Sequence, residues 1–243
     1  MRNIALIIAY DGTNYSGWQI QKNAITIQGV IQRILENIVQ HNVKMKVAGR
    51  TDTGVHAVGQ VASFKTTSRM SINDFKEALN SMLPSDIRIL GVEEKDEKFH
   101  PRFSAHKRWY RYIIYNKDVP SPFFRNYSYW VRRDINMNLL KMYSEKIVGE
   151  HDFTSFAMLD KDNSPVRIIY NCEVNRKGDF VLFDIVANSF LRRMVRSIVG
   201  TFLDLERNRK DPDELERILL ARERKLAGQT AYPSGLYLMK VFY

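Results

Sequence analysis

The stretch Gly49-Arg50-Thr51-Asp52-Thr53-Gly54-Val55-His56-Ala57 places one carboxylate in a loop bounded by glycines, between two runs that are typical of strands. The runs cover residues 44–48 and 58–64. An arginine precedes Asp52 by two residues and a histidine follows it by four. Nearby cations favour the ionised form of a carboxylate, which suits a nucleophile better than a general acid. An aspartate between glycines is also a common turn residue, so a purely structural interpretation stays open.

Apolar spacing around this loop predicts the rest of the first half of the chain. Residues 4–10 form an apolar run that ends at the turn Asp11-Gly12, which indicates a buried strand. Apolar residues at three- and four-residue intervals between Ile27 and Val39 predict an amphipathic helix. A second helix is expected from Phe75 to Met82, and a strand from 87 to 92.

The second half repeats this order approximately. Strands are predicted at 107–115, 168–174, 180–187 and 236–242, and helices at 137–148, at 190–202 and after the capping sequence Asp211-Pro212-Asp213-Glu214. The pattern indicates an α+β protein with two halves. We expect residues 1–105 to hold the Asp52 loop and residues 106–243 to complete a cleft, where sites are commonly found.

The composition favours an acidic partner. The chain of 243 residues has 37 Lys+Arg against 27 Asp+Glu, a net charge of +10, which indicates nucleic acid or an acidic membrane surface. The many aromatic residues favour RNA, because nucleobases stack on aromatic rings. A single cysteine, Cys172, excludes an internal disulfide. With no signal peptide and no run as long as a membrane span, we expect a cytoplasmic protein.

Other chemistries fit less well. Asp52-Thr53-Gly54 resembles an aspartic protease triplet, but that mechanism needs two carboxylates that share a proton, and the sequence has one such triplet. The five histidines lack the spacing of zinc ligands, and no phosphate-binding or dinucleotide fingerprint occurs. We therefore expect neither a metal nor a cofactor.

Two basic segments leave alternatives open. In the run 107–112, Tyr110 and Tyr112 fall on one face of a strand and Trp109 and Arg111 on the other, which is consistent with a base-stacking platform or with an ordinary half-buried strand. Arg192, Arg193 and Arg196 are expected on the helix that starts near Phe190. They could form a solvated basic face, bind phosphate, or pair with Asp52.

Taken together, several segments resemble the TruA family of tRNA pseudouridine synthases, in the family's order and nearly from end to end. The matching segments are Tyr10–Thr13, Tyr15–Gln19, Gly49–Ala57, Gly59–Val61, His100–Ala105, Tyr110–Tyr112, Gly149–Phe156, Ala187–Phe190, Met194–Gly200 and Gly235–Leu238. One departure is Thr53, where the family has a small alanine. The resemblance implies the pseudouridine synthase fold, in which two similar halves, each a mostly antiparallel sheet flanked by helices, enclose a cleft.

The resemblance also implies a function and a set of site residues. The family converts uridine to pseudouridine at positions 38, 39 and 40 of the tRNA anticodon stem-loop, without a cofactor and as a homodimer. Its catalytic aspartate falls on Asp52 and the basic partner of that aspartate on Arg196. Its substrate-binding residues fall on Tyr110, which packs on the target uracil, on Leu236, which contacts the base, and on Arg50, which helps to evert the nucleotide.

Two other functions remain as alternatives at this point. The chain could be a tRNA-binding chaperone that has lost turnover, although the presence of Asp52, Tyr110 and Arg196 disfavours this. It could also be a related synthase that acts on ribosomal RNA. For the main hypothesis, attack at C1′, attack at C6 and a route through a glycal all need an ionised Asp52, and the sequence does not choose among them.

Overall fold

The computed structural model describes residues 1–159 and 164–243. The elements are, in chain order, β1 (Arg2–Tyr10), α1 (Ile27–Val39), β2 (Lys46–Val47), β3 (His56–Thr66), α2 (Ile72–Met82), β4 (Ile87–Lys95), β5 (Lys107–Asn116), β6 (Tyr129–Val131), α3 (Met137–Lys146), β7 (Gly149–Asp152), β8 (Val166–Lys177), β9 (Phe180–Ala187), α4 (Met194–Arg207), α5 (Pro212–Ala221) and β10 (Leu236–Phe242). The α+β class predicted from the sequence is confirmed.

The chain divides into two compact units. The first contains Met1–His106 and Tyr237–Tyr243, and the second contains Lys107–Leu236. Nearly all of β10 therefore lies with the first unit, whereas a single boundary near residue 105 assigns it to the second half. The physical reason is a long-range pairing: β10 runs parallel to β3, with Tyr237 opposite His56. Gly59 permits this approach, because a Cβ there would lie 2.4 Å from the carbonyl oxygen of Met239.

In the first unit, β4, β1, β3 and β10 form a sheet in that order, and β2 pairs with β3. The pairings of β1 with β3 and β4 are antiparallel. The predicted apolar face of α1 is confirmed, since Ile27, Ile31 and Leu35 are fully buried. The Thr26 hydroxyl caps the start of α1 by accepting a hydrogen bond from the Gly29 amide.

In the second unit, β5, β9, β8 and β7 form an antiparallel sheet in that order, and β6 pairs in parallel with β5. Aromatic rings fill its core: Phe202 on α4 lies 6.2 Å from Phe183 on β9 and 5.7 Å from Tyr143 on α3, between ring centroids. The predicted N-terminus of α5 is confirmed, because the Asp211 carboxylate accepts a hydrogen bond from the Asp213 amide and Pro212 occupies the first turn.

The start of α4 differs from the prediction. The apolar pattern places the start of the helix near Phe190, but α4 begins at Met194. Arg193 has a φ of 64°, which is left-handed, and the Arg192 carbonyl accepts a hydrogen bond from the Met158 amide at 3.1 Å. Arg192 and Arg193 thus precede the helix, and the prediction that they lie on it with Arg196 is wrong. Among the described helices, none has the length and apolar character needed to cross a membrane.

Candidate active site

Asp52 lies half-buried in the loop that joins β2 to β3, in the first unit. The loop turns back on itself at Gly54, whose φ of 74° is a left-handed conformation that favours glycine. The Val55 amide donates a hydrogen bond to the Asp52 carbonyl at 3.2 Å. Arg50, two residues earlier in the same loop, is exposed.

The segment that follows β1 supports this loop from one side. The Trp18 amide donates to the Thr51 carbonyl at 3.1 Å, and the Gly54 amide donates to the Tyr15 carbonyl at 3.4 Å. Two glycines make the approach possible. A Cβ on Gly12 would lie 2.0 Å from the Val55 carbonyl oxygen, and one on Gly17 would lie 2.6 Å from that of Thr51. Backbone therefore packs directly against backbone on both sides of Asp52.

A buried polar network holds the loop from beneath. The Tyr10 hydroxyl lies 2.8 Å from the Thr51 hydroxyl oxygen, and the Gln60 side-chain amide donates to the Gly49 carbonyl at 2.7 Å. Burial raises the pKa of Tyr10 to about 12, so the phenol stays neutral at physiological pH. The residues just before Asp52 are thus tied to two strands of the sheet, which limits where the carboxylate can move.

His56 is a buried anchor at the start of β3, with 2% of its surface exposed. Its ring stacks on Tyr237 with 4.7 Å between centroids, and its Nδ1 accepts a hydrogen bond from the Gly12 amide at 3.1 Å. An Asp11 carboxylate oxygen also lies 3.1 Å from Nδ1. One nitrogen cannot both accept and donate, and the backbone fixes the amide hydrogen, so we assign Nδ1 as the acceptor. These contacts give His56 a structural function at the end of the Asp52 loop.

Tyr110 lies on β5 in the second unit and is 8% exposed. Its ring meets that of Phe190 edge-on, with 4.9 Å between centroids. Tyr112, two residues later on the same face, is fully buried, and its hydroxyl donates to the Tyr232 carbonyl at 2.7 Å. The predicted alternation along this strand is confirmed. The full burial of Tyr112 agrees better with a half-buried strand than with an open platform on which several bases stack.

The opposite face of β5 is occupied by an ion pair. The Arg111 guanidinium binds both Asp184 carboxylate oxygens at 2.9 Å, and Trp109 Nε1 donates to one of them at 2.7 Å. Asp184 lies directly opposite Arg111 on β9. The Arg111 guanidinium is therefore paired with a carboxylate on the neighbouring strand, as is common for opposite charges that face each other across a sheet.

Arg196 and Leu236 complete the set of predicted residues. Arg196 is half-buried on the first turn of α4, and its Nε donates to the Ala231 carbonyl at 2.8 Å. Leu236 is 7% exposed and follows the short 3₁₀ turn Pro233–Gly235. That turn packs on β5, because a Cβ on Gly235 would lie 2.7 Å from the Ile113 carbonyl oxygen. Tyr110, Arg196 and Leu236 thus belong to the second unit, and Arg50 and Asp52 to the first.

Sequence reasoning did not identify the supporting residues Tyr10, Gln60 and Ala231. Tyr10 and Gln60 have the sequence pattern of ordinary strand residues. Their partners in the Asp52 loop, Thr51 and Gly49, lie 41 and 11 residues away along the chain. Ala231 acts through its backbone carbonyl, which no residue pattern reveals. Of the residues that support the Asp52 loop, Gly12 and Gly17 carry a signal in the local sequence, because glycines beside a turn often mark a close approach between two backbone segments.

Comparisons with known proteins agree with one another. The profile of the family described as tRNA pseudouridine synthase matches residues 6–104 and 144–243. The tRNA pseudouridine synthase A of Thermoanaerobacter sp. (strain X514) is 41% identical over 244 residues, and that of Geotalea daltonii is 42% identical; both alignments cover 100% of each chain.

Solved structures are more distant. A chain in the crystal structure of a Cbf5-Nop10-Gar1 complex is 14% identical, with a TM-score of 0.35, covering 97% of this chain and 58% of that one. The family profile and the full-length relatives are sufficient: the chain belongs to the tRNA pseudouridine synthase family, of the TruA type, and is a pseudouridine synthase.

Proposed function

We propose that this enzyme acts on uridines at positions 38, 39 and 40 of the tRNA anticodon stem-loop, with Asp52 as the nucleophile. Membership of the family gives the reaction, which is isomerisation of uridine to pseudouridine in tRNA. The observation that carries the proposal for Asp52 is its loop. Thr51, the residue before the half-buried Asp52, is held twice: its carbonyl accepts a hydrogen bond from the Trp18 amide, and its buried hydroxyl pairs with that of Tyr10.

The reaction defines what the site must supply. The bond between C1′ and N1 of uridine breaks, the uracil turns, and a new bond forms between C1′ and C5. N1 gains a proton and C5 loses one, so no oxidant and no second substrate is needed. Because the target atoms lie within a stacked helix, the nucleotide must first leave the stack, which costs a few kcal/mol. Asp52 must be ionised for each of the three routes that the sequence leaves open.

Arg196 is the proposed cationic partner of the nucleophile. A guanidinium stays charged at every relevant pH and forms directional hydrogen bonds with a carboxylate. The bond from its Nε to the Ala231 carbonyl restricts the orientation of the guanidinium plane before substrate binds. Preorganised charge of this kind lowers the reaction barrier, because the site does not have to reorganise during the reaction.

Tyr110, Leu236 and Arg50 are the proposed substrate-binding residues. Tyr110 supplies an aromatic ring and Leu236 an aliphatic side chain, and both are nearly buried, which suits confinement of a detached uracil while it rotates. Tyr110 is braced by Phe190, so its ring is held in place for stacking. Arg50 is exposed beside Asp52 in sequence, which suits a side chain that enters the RNA helix and replaces the everted nucleotide.

We further propose a cytoplasmic homodimer that holds tRNA mainly through phosphate contacts. The net charge of +10 supports electrostatic binding of a polyanion. Phosphate contacts would position the RNA without reading its sequence.

The positional proposal is tested by mapping pseudouridine in tRNA. We expect that tRNA transcripts with uridine at 38, 39 or 40 acquire pseudouridine there after incubation with the enzyme, and that transcripts with cytidine at these positions acquire none. A ribosomal RNA fragment serves as the alternative substrate. Modification of the ribosomal fragment, or of tRNA outside the anticodon stem-loop, would refute the proposed positions without affecting the assignment to the family.

A further inference from the structure

The segment Ala227–Tyr232, here called the clasp segment, runs along α4 in close backbone contact. The Gly228 amide donates to the Thr201 hydroxyl at 3.0 Å, and the Ala231 amide donates to the Arg196 carbonyl at 3.0 Å. Between these bonds, a Cβ on Gly200 would lie 1.8 Å from the Gln229 carbonyl oxygen. Glycine at this helix position therefore lets the clasp segment lie against the helix backbone.

Carbonyls of the clasp segment bind the side chains of Arg196, a proposed site residue, and of Tyr112. The Ala231 carbonyl accepts from Arg196 Nε at 2.8 Å, and the neighbouring Tyr232 carbonyl accepts from the Tyr112 hydroxyl at 2.7 Å. The Arg196 carbonyl also accepts a hydrogen bond from the Ala231 amide. Ala231 therefore binds both the backbone and the side chain of Arg196. The direction of the Arg196 guanidinium thus depends on where Ala231 lies.

Arg224 is the side chain that fixes the shape of the clasp segment. Its Nη1 donates to the carbonyls of Ala227 at 3.2 Å and Gly228 at 3.0 Å, and its Nη2 donates to the Thr230 hydroxyl at 2.9 Å. The Thr230 hydroxyl lies 3.3 Å from that of Ser197 on α4. The half-buried guanidinium therefore ties the start of the segment to a point one residue before Ala231.

We propose that Arg224 is a positioning residue for pseudouridine formation: it holds the clasp segment so that the Ala231 carbonyl orients Arg196. This inference rests on the proposed function of Arg196 as the partner of the nucleophile. The planar fork of an arginine can reach carbonyl and hydroxyl acceptors at once, whereas a lysine supplies a point charge on a flexible stem. Displacement of the clasp segment by about 1 Å would misalign Arg196, and small misplacements of reacting groups are costly for rate.

The first experiment separates binding from chemistry. We expect Arg224→Ala to lower the single-turnover rate at saturating tRNA about tenfold, with the Kd for tRNA changed by less than about twofold. Arg224→Lys should fail to restore the rate, because it keeps the charge but loses the fork. Arg217→Ala is the matched control, since Arg217 is an exposed arginine on α5 that pairs with Glu214. A tRNA affinity that falls while the saturated rate is unchanged would refute positioning.

The second experiment asks whether the effect passes through Arg196. In an Arg196→Lys background, which lacks the Nε donor to Ala231, Arg224→Ala should lower the rate by less than about twofold further. If Arg224→Ala lowers the rate about tenfold in that background too, the positioning function is refuted. Such additivity would mean that Arg224→Ala acts through a general structural defect and not through Arg196. Thermal unfolding of each variant shows that the protein compared is folded, and Arg224→Lys supplies a second variant if Arg224→Ala is unstable.

The two experiments also distinguish this inference from the proposal on which it rests. If Arg196→Lys slows the reaction and Arg224→Ala does not, the positioning function is refuted and the function of Arg196 stands. If Arg196→Lys keeps the wild-type rate, the function of Arg196 is refuted, and the positioning function with it.

Discussion

Tyr10 illustrates how a residue without a chemical function can decide the geometry of a site. Its hydroxyl is buried beneath the Asp52 loop and pairs with the Thr51 hydroxyl, one residue before the carboxylate. Asp52, Tyr110 and Arg196 could be proposed as site residues from the sequence, because the site residues of the TruA family, which these segments resemble, fall on them. Tyr10 could not, because its importance comes from a tertiary contact with a loop that lies far along the chain.

We expect Tyr10→Phe to lower the free energy of unfolding by about 1 kcal/mol, since it removes one buried hydrogen bond and leaves the Thr51 hydroxyl without that partner. Urea denaturation at neutral pH measures the loss. Tyr170→Phe is the control, because Tyr170 is 44% exposed and the substitution keeps the ring beneath Lys107. Equal stability of the two variants would contradict the account of the loop.

The difference in stability between the wild type and Tyr10→Phe should depend on pH. The folded protein holds the pKa of Tyr10 at about 12, above the ordinary value of 10.0. The unfolded chain therefore releases this proton first, so the stability contributed by neutral Tyr10 is fully present below pH 10 and is lost as the pH rises towards 12. The difference in stability between the wild type and Tyr10→Phe should shrink across that interval. A difference that grew with pH would contradict the assignment.

At the scale of elements, local periodicity predicts most of the helices and strands. The others depend on long-range pairing, which the local sequence does not show. Helices α1, α2 and α5 could be predicted because their apolar spacing and capping residues lie within the helix itself. The start of α4 could not, because the Arg192 carbonyl is held by Met158, far from it in sequence. Strand β6 has three residues and pairs in parallel with β5, so it carries too short a pattern to detect.

The glycines that support the Asp52 loop give a prediction at this scale. Gly12→Ala should lower the free energy of unfolding by about 2 to 3 kcal/mol and reduce the reaction rate, because the new Cβ would clash with the backbone at Val55. Gly178→Ala is the control: its φ is +57°, and nothing lies within 4 Å of the added Cβ. It should cost about 1 kcal/mol and leave the rate unchanged. A wild-type rate in Gly12→Ala would show that the loop does not depend on this contact.

At the scale of the whole molecule, charge gives information that local patterns do not. The excess of 37 Lys+Arg over 27 Asp+Glu is distributed along both units, and it favours a polyanionic partner independently of any motif. The membership of the two units is harder to predict from the sequence. Because β10 pairs with β3, residues 237–243 belong to the N-terminal unit. The sequence near either strand does not indicate that the two strands pair.

Affinity for tRNA should fall steeply with salt. Each neutralised phosphate contributes roughly 0.7 to 0.9 to the slope of log Kd against log salt concentration, so several contacts give a slope of several units. Filter binding between about 50 and 200 mM salt measures it. Asp52→Asn should keep the slope of the wild type, because Asp52 is proposed to act in the chemistry. A flat response would contradict binding through phosphates.

The central claim, that Asp52 drives exchange at uracil C5, is tested most directly by tritium release from tRNA labelled at that carbon. Wild type, Asp52→Asn and the control Asp74→Asn, an exposed aspartate on α2, are compared at equal enzyme and tRNA concentrations. The account predicts release by the wild type and by Asp74→Asn, and none by Asp52→Asn, with tRNA binding intact in all three. Release by Asp52→Asn at the wild-type rate would contradict it, and absence of release by every protein despite tight binding would favour a tRNA chaperone.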